Sequence, residues 1–236
     1  LKILGIESSA AAAGAAVVEN GKLLSEAYLN NGLTHSETLM PLVDCCLNNA
    51  GLKAQDIDAF AVSYGPGSFT GVRIGISAIK GICFGLEKPV YGISTLEALA
   101  YGAAVEDVVI CPVMDARCMQ VYNALFECKD NKLYRLCNDR ALKLSELFEE
   151  IKKHDKKILL VGDGSEITKN YFIGQDFRFF CVYPEIFKFQ HAAGVAFAAF
   201  MRYNSGEEGV GADLLNPAYL RMPQAERERL KKEKNK

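Results

Sequence analysis

Two stretches of this 236-residue chain run through one order of elements, and that repetition restricts the available folds more than any other feature. Residues 2–7, 13–19 and 22–29 read as three strands, with Glu19-Asn20-Gly21 as a hairpin turn because Asn-Gly accepts the positive φ such turns need. A helix follows. Thr34 stands at its start with Glu37 three residues on, the pattern of a capping box. Leu39, Leu42, Val43, Cys46, Leu47 and Ala50 recur at spacings of three and four on one face, Pro41 is expected to bend the helix, and Gly51 to close it. Residues 57–63 form an apolar run suited to a buried central strand. A helix over 69–86, a strand over 89–93 and a helix over 95–104 complete the unit.

The pattern then returns. Strands are predicted at 108–114, 119–127 and 132–137, a helix at 144–153, a strand at 158–162 ending in Gly162-Asp163-Gly164, a strand at 177–183 and an alanine-rich helix at 191–203. The boundary falls near 100–107, giving units 1–104 and 105–236. The second unit ends in a mixed-charge run from 225, expected to be a solvated helix end.

The net charge of −2 provides no bulk basic field, so the chain alone is expected to bind nucleic acid weakly if at all. Apolar stretches are too short and too interrupted to span a membrane. Glu7 interrupts the start too early for a secretory signal, and a cytoplasmic protein is expected. The eight cysteines include no C-x-x-C pair and sit in apolar runs, which favours reduced thiols over disulfides and predicts no metal site.

Between the buried strand and the second helix lies Tyr64-Gly65-Pro66-Gly67-Ser68-Phe69-Thr70-Gly71-Val72-Arg73-Ile74-Gly75. Glycines before a helix N-terminus suit a phosphate cradle, but neither G-x-x-x-x-G-K-[ST] nor G-x-G-x-x-G is complete. Ser68 is outside a G-x-S-x-G elbow, and none of His35, His154 and His191 stands in a setting that pairs with it. The helix itself is apolar nearly all round: Val72, Ile76, Ile79, Cys83 and Leu86 form one stripe, and Ile74, Ala78, Ile82 and Phe84 lie elsewhere. Either the rest of the chain or a partner must cover it. Gly71, Gly75, Gly81 and Gly85 would allow another helix to approach. Arg73, a cation in a first helical turn, is expected to have an acidic partner in this chain or another.

These residues closely resemble the signature of the TsaB (YeaZ) family of bacterial tRNA-modification proteins. The likeness extends to Ile3-Leu4-Gly5-Ile6-Glu7-Ser8-Ser9, Thr34-His35-Ser36-Glu37, Gly92-Ile93-Ser94-Thr95-Leu96-Glu97-Ala98, Met114-Asp115-Ala116-Arg117 and Pro217-Ala218-Tyr219-Leu220-Arg221. It implies an α/β protein with the duplicated ribonuclease-H-like fold of actin, sugar kinases and Hsp70, in two lobes, each with a mixed five-stranded sheet. It implies a non-catalytic paralogue of TsaD, the subunit that transfers a threonylcarbamoyl group to N6 of the adenosine 3′ of the anticodon in tRNAs reading codons that begin with A. TsaE would join through the complex, and tRNA would be met only within it.

TsaD-like proteins carry a metal-binding His-x-x-x-His where this chain has Thr95 and Leu99, and neither side chain replaces an imidazole. The phosphate- and metal-type positions Glu7, Ser8, Ser9 and Asp115 look degraded. No cofactor is expected, although Gly162-Asp163-Gly164 leaves weak ATP or ADP binding open, alone or at a subunit interface. The two long helices of the first unit are expected to dock on TsaD, or on a second copy in a homodimer, through His35, Leu39, Leu42, Val43, Cys46, Phe69, Val72, Arg73, Ile76, Ile79, Lys80 and Cys83. Gly65, Pro66, Gly67, Ser68, Thr70 and Gly71 would shape the turn before them. The competing readings are a standalone enzyme, metallopeptidase-like or an ATP-dependent kinase, and a tRNA-binding module using Arg227, Arg229, Lys231, Lys232, Lys234 and Lys236.

Overall fold

The structure, a computed structural model, describes residues 1–130 and 132–221; the charged run from 225 lies outside the described residues. The first sheet holds β1 (Lys2–Glu7), β2 (Ala13–Glu19), β3 (Lys22–Leu29), β4 (Ala59–Gly65) and β5 (Val90–Ser94) in the order β3-β2-β1-β4-β5. β1, β2 and β3 pair antiparallel, while β4 and β5 add in parallel. Asn20 and Gly21, at φ 49° and 83°, make the predicted turn.

Helix α1 (His35–Asn49) starts at Thr34, whose side chain makes no cap, so the capping box does not form. The helix runs on through Pro41. Gly51 ends it at φ 68°, with Gly51 N–H on Asn48 O and Leu52 N–H on Leu47 O, the paired bonds of a Schellman motif. Helix α2 (Phe69–Cys83) lies beside α1 on the same face of the sheet, and α3 (Thr95–Gly102) follows β5.

The second sheet repeats the first. Its β6 (Val108–Asp115), β7 (Gln120–Asn123), β10 (Arg140–Lys143), β11 (Lys157–Val161) and β12 (Phe180–Val182) run β10-β7-β6-β11-β12, with the same two antiparallel and two parallel pairings. It has seven strands rather than five. The predicted strand 119–127 breaks after β7, and β8 (Phe126–Lys129) resumes against β6 and pairs with β9 (Lys132–Arg135). Buried Asn123 accounts for the break: its Nδ2 donates to Pro112 O at 3.0 Å and Ala124 O at 2.8 Å, satisfying main chain that has left the ladder. Helix α4 (Leu144–Ile151) and the unpredicted α5 (Ser165–Gly174) cover the outer face.

Helix α6 (Ala192–Asn204) departs from the predicted division. A cut at 104/105 separates the sheets, but α6 packs back on the first, where Val195, Ala196, Ala198 and Ala199 meet Ile3, Val18, Ala59 and Ile93. Val210 then forms a bridge with Val90 at the edge of β5. Conversely, Leu96, Leu99 and Ala100 of α3 pack beneath the second sheet against Ile110 and Phe126. The lobes therefore share α3 and α6, and α6 lies so close to α3 that a Cβ on Gly194 would collide with Ala98 O.

Candidate docking face and interlobe cleft

The glycine motif is a turn fitted against the main chain between β1 and β2. The Gly65-Pro66 peptide is cis. Ser68 N–H donates to Ser9 O at 2.6 Å, and its Oγ accepts from Gly71 N–H at 3.2 Å. Ser68 is therefore the N-cap of α2. A Cβ at Gly71 would meet Ser8 O, and one at Gly75 would lie 2.5 Å from Ser8 Oγ. These two glycines admit the β1–β2 turn of the same chain, not another helix. Gly81 and Gly85 face open space.

A cleft of about 520 Å³ opens between the lobes, bordered by Ser9, Pro66, Ser68, Asp115, Arg117, Asp163, Tyr219 and Arg221. Its polar groups are largely engaged within the chain. Glu7, fully buried, accepts from Ser9 N–H at 2.6 Å and from the Ser63 hydroxyl. Burial raises its carboxyl above the ordinary range, and the hydrogen bonds from Ser63 and Ser9 pull it part of the way back. Ser8 Oγ donates to Gly71 O at 2.9 Å. Asp115 accepts from Arg117 N–H at 2.7 Å and pairs with its guanidinium at 3.2 Å. Arg117, Cys118 and Met119 all take left-handed φ, at 64°, 55° and 56°. Asp163 is raised by burial and held by Gln190 Nε2 at 3.3 Å. A nucleotide needs phosphate loops that offer free hydroxyls and amides. Ser8, Glu7 and Asp115 are committed within the chain, and Ala10 and Ala11 line the wall.

The predicted docking residues divide sharply. Leu39, Val43, Cys46, Val72, Ile76, Ile79 and Cys83 are all buried in one core with Leu4, Ile6, Phe60 and Val62 of the first sheet. The regular stripe faces its own sheet, so these seven cannot meet a partner. His35, Leu42, Phe69 and Lys80 are half-buried and Arg73 is exposed. Around them the outer face presents Met40 and Phe84, 41% and 90% exposed, with Thr70, Ser77 and Gly81. His35 Nε2 donates to Ala10 O at 2.6 Å, joining α1 to the β1–β2 turn.

No acidic partner of Arg73 is found among the described residues. Its guanidinium lies 3.9 Å from the centre of the Phe69 ring, and Nε donates to Tyr219 Oη at 2.8 Å. Tyr219, not assigned a role from sequence, stacks on Phe69 at 4.6 Å. A second unassigned group joins the lobes: Glu97 of α3 accepts from Arg202 of α6 at 2.6 Å and Arg135 of β9 at 3.4 Å, and Arg135 also meets Asp139 at 2.5 Å. Thr95 and Leu99, the positions compared with a histidine pair, are buried. Cys45 and Cys118 are exposed, while Cys46, Cys83, Cys111 and Cys128 are buried. Among the described residues no helix is long and apolar enough to cross a membrane.

Two sheets of one topology, sharing helices across a cleft, define a protein of the duplicated ribonuclease-H-like fold. A family model described as TsaD, tRNA N6-adenosine threonylcarbamoyltransferase, matches residues 30–228. The tRNA threonylcarbamoyladenosine biosynthesis protein TsaB of Bacillus subtilis (strain 168) is 31% identical over 237 residues, covering 96% of each chain. The tRNA N6-adenosine threonylcarbamoyltransferase of Brucella ovis is 33% identical over 127 residues, 45% of this chain and 35% of that one. The solved structure of YeaZ from Pseudomonas aeruginosa superposes with a TM-score of 0.78 at 25% identity, over 93% of this chain and 99% of that one. The chain belongs to the TsaB family of tRNA threonylcarbamoyladenosine biosynthesis proteins.

Proposed function

We propose that this chain is a non-catalytic subunit in tRNA threonylcarbamoyladenosine synthesis, and that it docks on and activates the threonylcarbamoyltransferase TsaD through the outer face of α1 and α2. The observation that carries this reading is the exposure of Met40 on α1 and of Phe84 at the C-terminal cap of α2, two helices whose opposite faces fill the core. A nearly bare aromatic ring beside Gly81 and the half-buried Ile74, Ala78 and Ile82 is the anchor-and-rim arrangement of a protein interface. The likeness to both TsaB and transferase sequences supports two related chains meeting through related helices. The cytoplasm is the expected compartment, with no resident cofactor, TsaE and tRNA met through the complex, and self-association through the same face when the transferase is absent.

The test is light scattering on a sizing column, with and without TsaD, for the native chain and for Phe84→Asp and Ser77→Arg. Both positions are exposed, so both variants are expected to melt like the native protein and to lose the mixed complex. Threonylcarbamoyl transfer to tRNA should be absent with this chain alone and restored on mixing. Mixed complexes that survive both substitutions would place the interface elsewhere. Transfer by the chain alone would make it an enzyme.

A further inference from the structure

We propose that residues 217–221 form a strap that sets the width of the interlobe cleft and couples it to the first turn of α2. The strap is fastened at both ends. On the first lobe, Ala218 N–H donates to Tyr64 O at 2.8 Å, and the strap lies so tightly on the glycine motif that a Cβ at Gly65 would sit 2.5 Å from Ala218 O. Tyr219 then stacks on Phe69, and its hydroxyl accepts from Arg73. On the second lobe, Arg221 Nη1 donates to Ala116 O, in the turn that carries Asp115 and the three left-handed residues. Between these fastenings, Ala218 to Arg221 form one wall of the cleft.

The geometry has two consequences. A five-residue segment spans only about 17 Å when extended, so with both ends held it limits how far the lobes can part. The first-lobe fastening is also partly open to the outside, since Arg73 is exposed and Tyr219 is 41% exposed. Any contact that takes Arg73 or covers Tyr219 acts on the same side chains that hold the strap. The Asp115 turn is therefore linked to the surface of α2 without touching it. By reciprocity, a change at that turn alters the affinity of whatever binds that surface. This coupling rests on the cleft alone and holds whether or not TsaD docks there.

The experiment uses the isolated full chain and reads amide hydrogen exchange by mass spectrometry in the native protein, Tyr219→Ala, Arg221→Ala and the double variant. Tyr203→Ala, an exposed position on α6, serves as control. Distances between non-cysteine spin labels at Thr70 and Met119, exposed positions on opposite lobes, give the cleft width. Tyr219→Ala, altered only at the first lobe, is expected to speed exchange of residues 115–120 in the second by about tenfold and to broaden the label distance. The double variant should do little more than either single one, because a strap loosened at one end already transmits little. Tyr219→Phe, which keeps the stacking and loses the hydrogen bond, should fall between. The proposal is overturned if Tyr219→Ala affects only residues near Phe69, if the two single effects add, or if the label distance does not change.

Discussion

Glu7 closes β1 and Asp115 closes β6, equivalent points in two sheets of one topology, yet their surroundings differ. Glu7 is sealed beneath the glycine motif, where α2 packs on the following turn so closely that two positions exclude any side chain. Asp115 borders the cleft, held by the flexible arm of Arg117, and its turn passes through three left-handed residues, while the start of α5 packs on the strand end, where a Cβ at Gly164 would lie 3.1 Å from Asp115 N. The helices differ in the same direction: α1 and α2 have 15 residues each, while α4 and α5 have 8 and 10. Duplication preserved the strand order and left each lobe free to specialise. The first became a tightly packed platform beneath an exposed helical face. The second became a lobe with shorter helices, tied to the first by shared helices, an ion cluster and the strap.

The largest test asks whether the lobes are separate at all. Phe60 and Phe172 are fully buried, one in each lobe, and truncating either to alanine should remove about 3–5 kcal/mol. Because α3 and α6 serve both lobes, calorimetry should show one transition lowered by either change. Two separable transitions would break the comparison. Next in size, Gly71→Ala should lose about 3 kcal/mol through the collision with Ser8 O, while Gly174→Ala, in the open on α5, should be neutral or stabilising by up to about 1 kcal/mol. Urea midpoints measured side by side decide this.

Glu97→Gln weakens both arginine pairs at a mostly buried carboxylate and should lower stability by about 2 kcal/mol, with reduced sensitivity to salt. An unchanged melting temperature would show that the ion cluster does not join the lobes. The pH effect is smaller. Glu7 has its folded pKa raised above the reference value of 4.5, so its contribution is full below that value and is lost as pH rises through the folded one. Native stability should therefore carry a declining component with pH that Glu7→Gln lacks, visible as urea midpoints of the native protein falling relative to those of the variant as pH rises. Parallel curves from pH 4.5 to 8 would contradict the sealed environment. Least of all in energy, Cys45 and Cys118 should react first with a thiol reagent, ahead of Cys83, which burial pushes up to about 11.

The first lobe was nearly all legible in the sequence because its signals are local: Asn20-Gly21, the spacing from Leu39 to Ala50, Gly51 and the apolar run into Ser63. Helix α5 was not, since it turns Ser165 and Thr168 inward. Their hydroxyls donate to Gly162 O and Gly164 O, which puts polar residues where a helical period needs apolar ones. The short, half-buried β10 offered no alternation to read. At the candidate site, the stripe from Val72 to Cys83 correctly indicated that something covers it. A stripe does not say what, and the answer is the chain's own sheet. The partner of Arg73 lies 146 residues away, beyond any local pattern.

Because α6 covers the first sheet, the order of synthesis matters. Residues 1–104 leave the ribosome with strands able to pair and helices able to pack on one face only. Ile3, Ala59, Ala61 and Ile93 on the other face wait for residues 192–204. At translation speeds of about 5–20 residues per second, that face stays open for several seconds. The nascent first lobe thus exposes that apolar face throughout the interval, and a message truncated before the codon for Ala192 is expected to yield a product with a permanently sticky side.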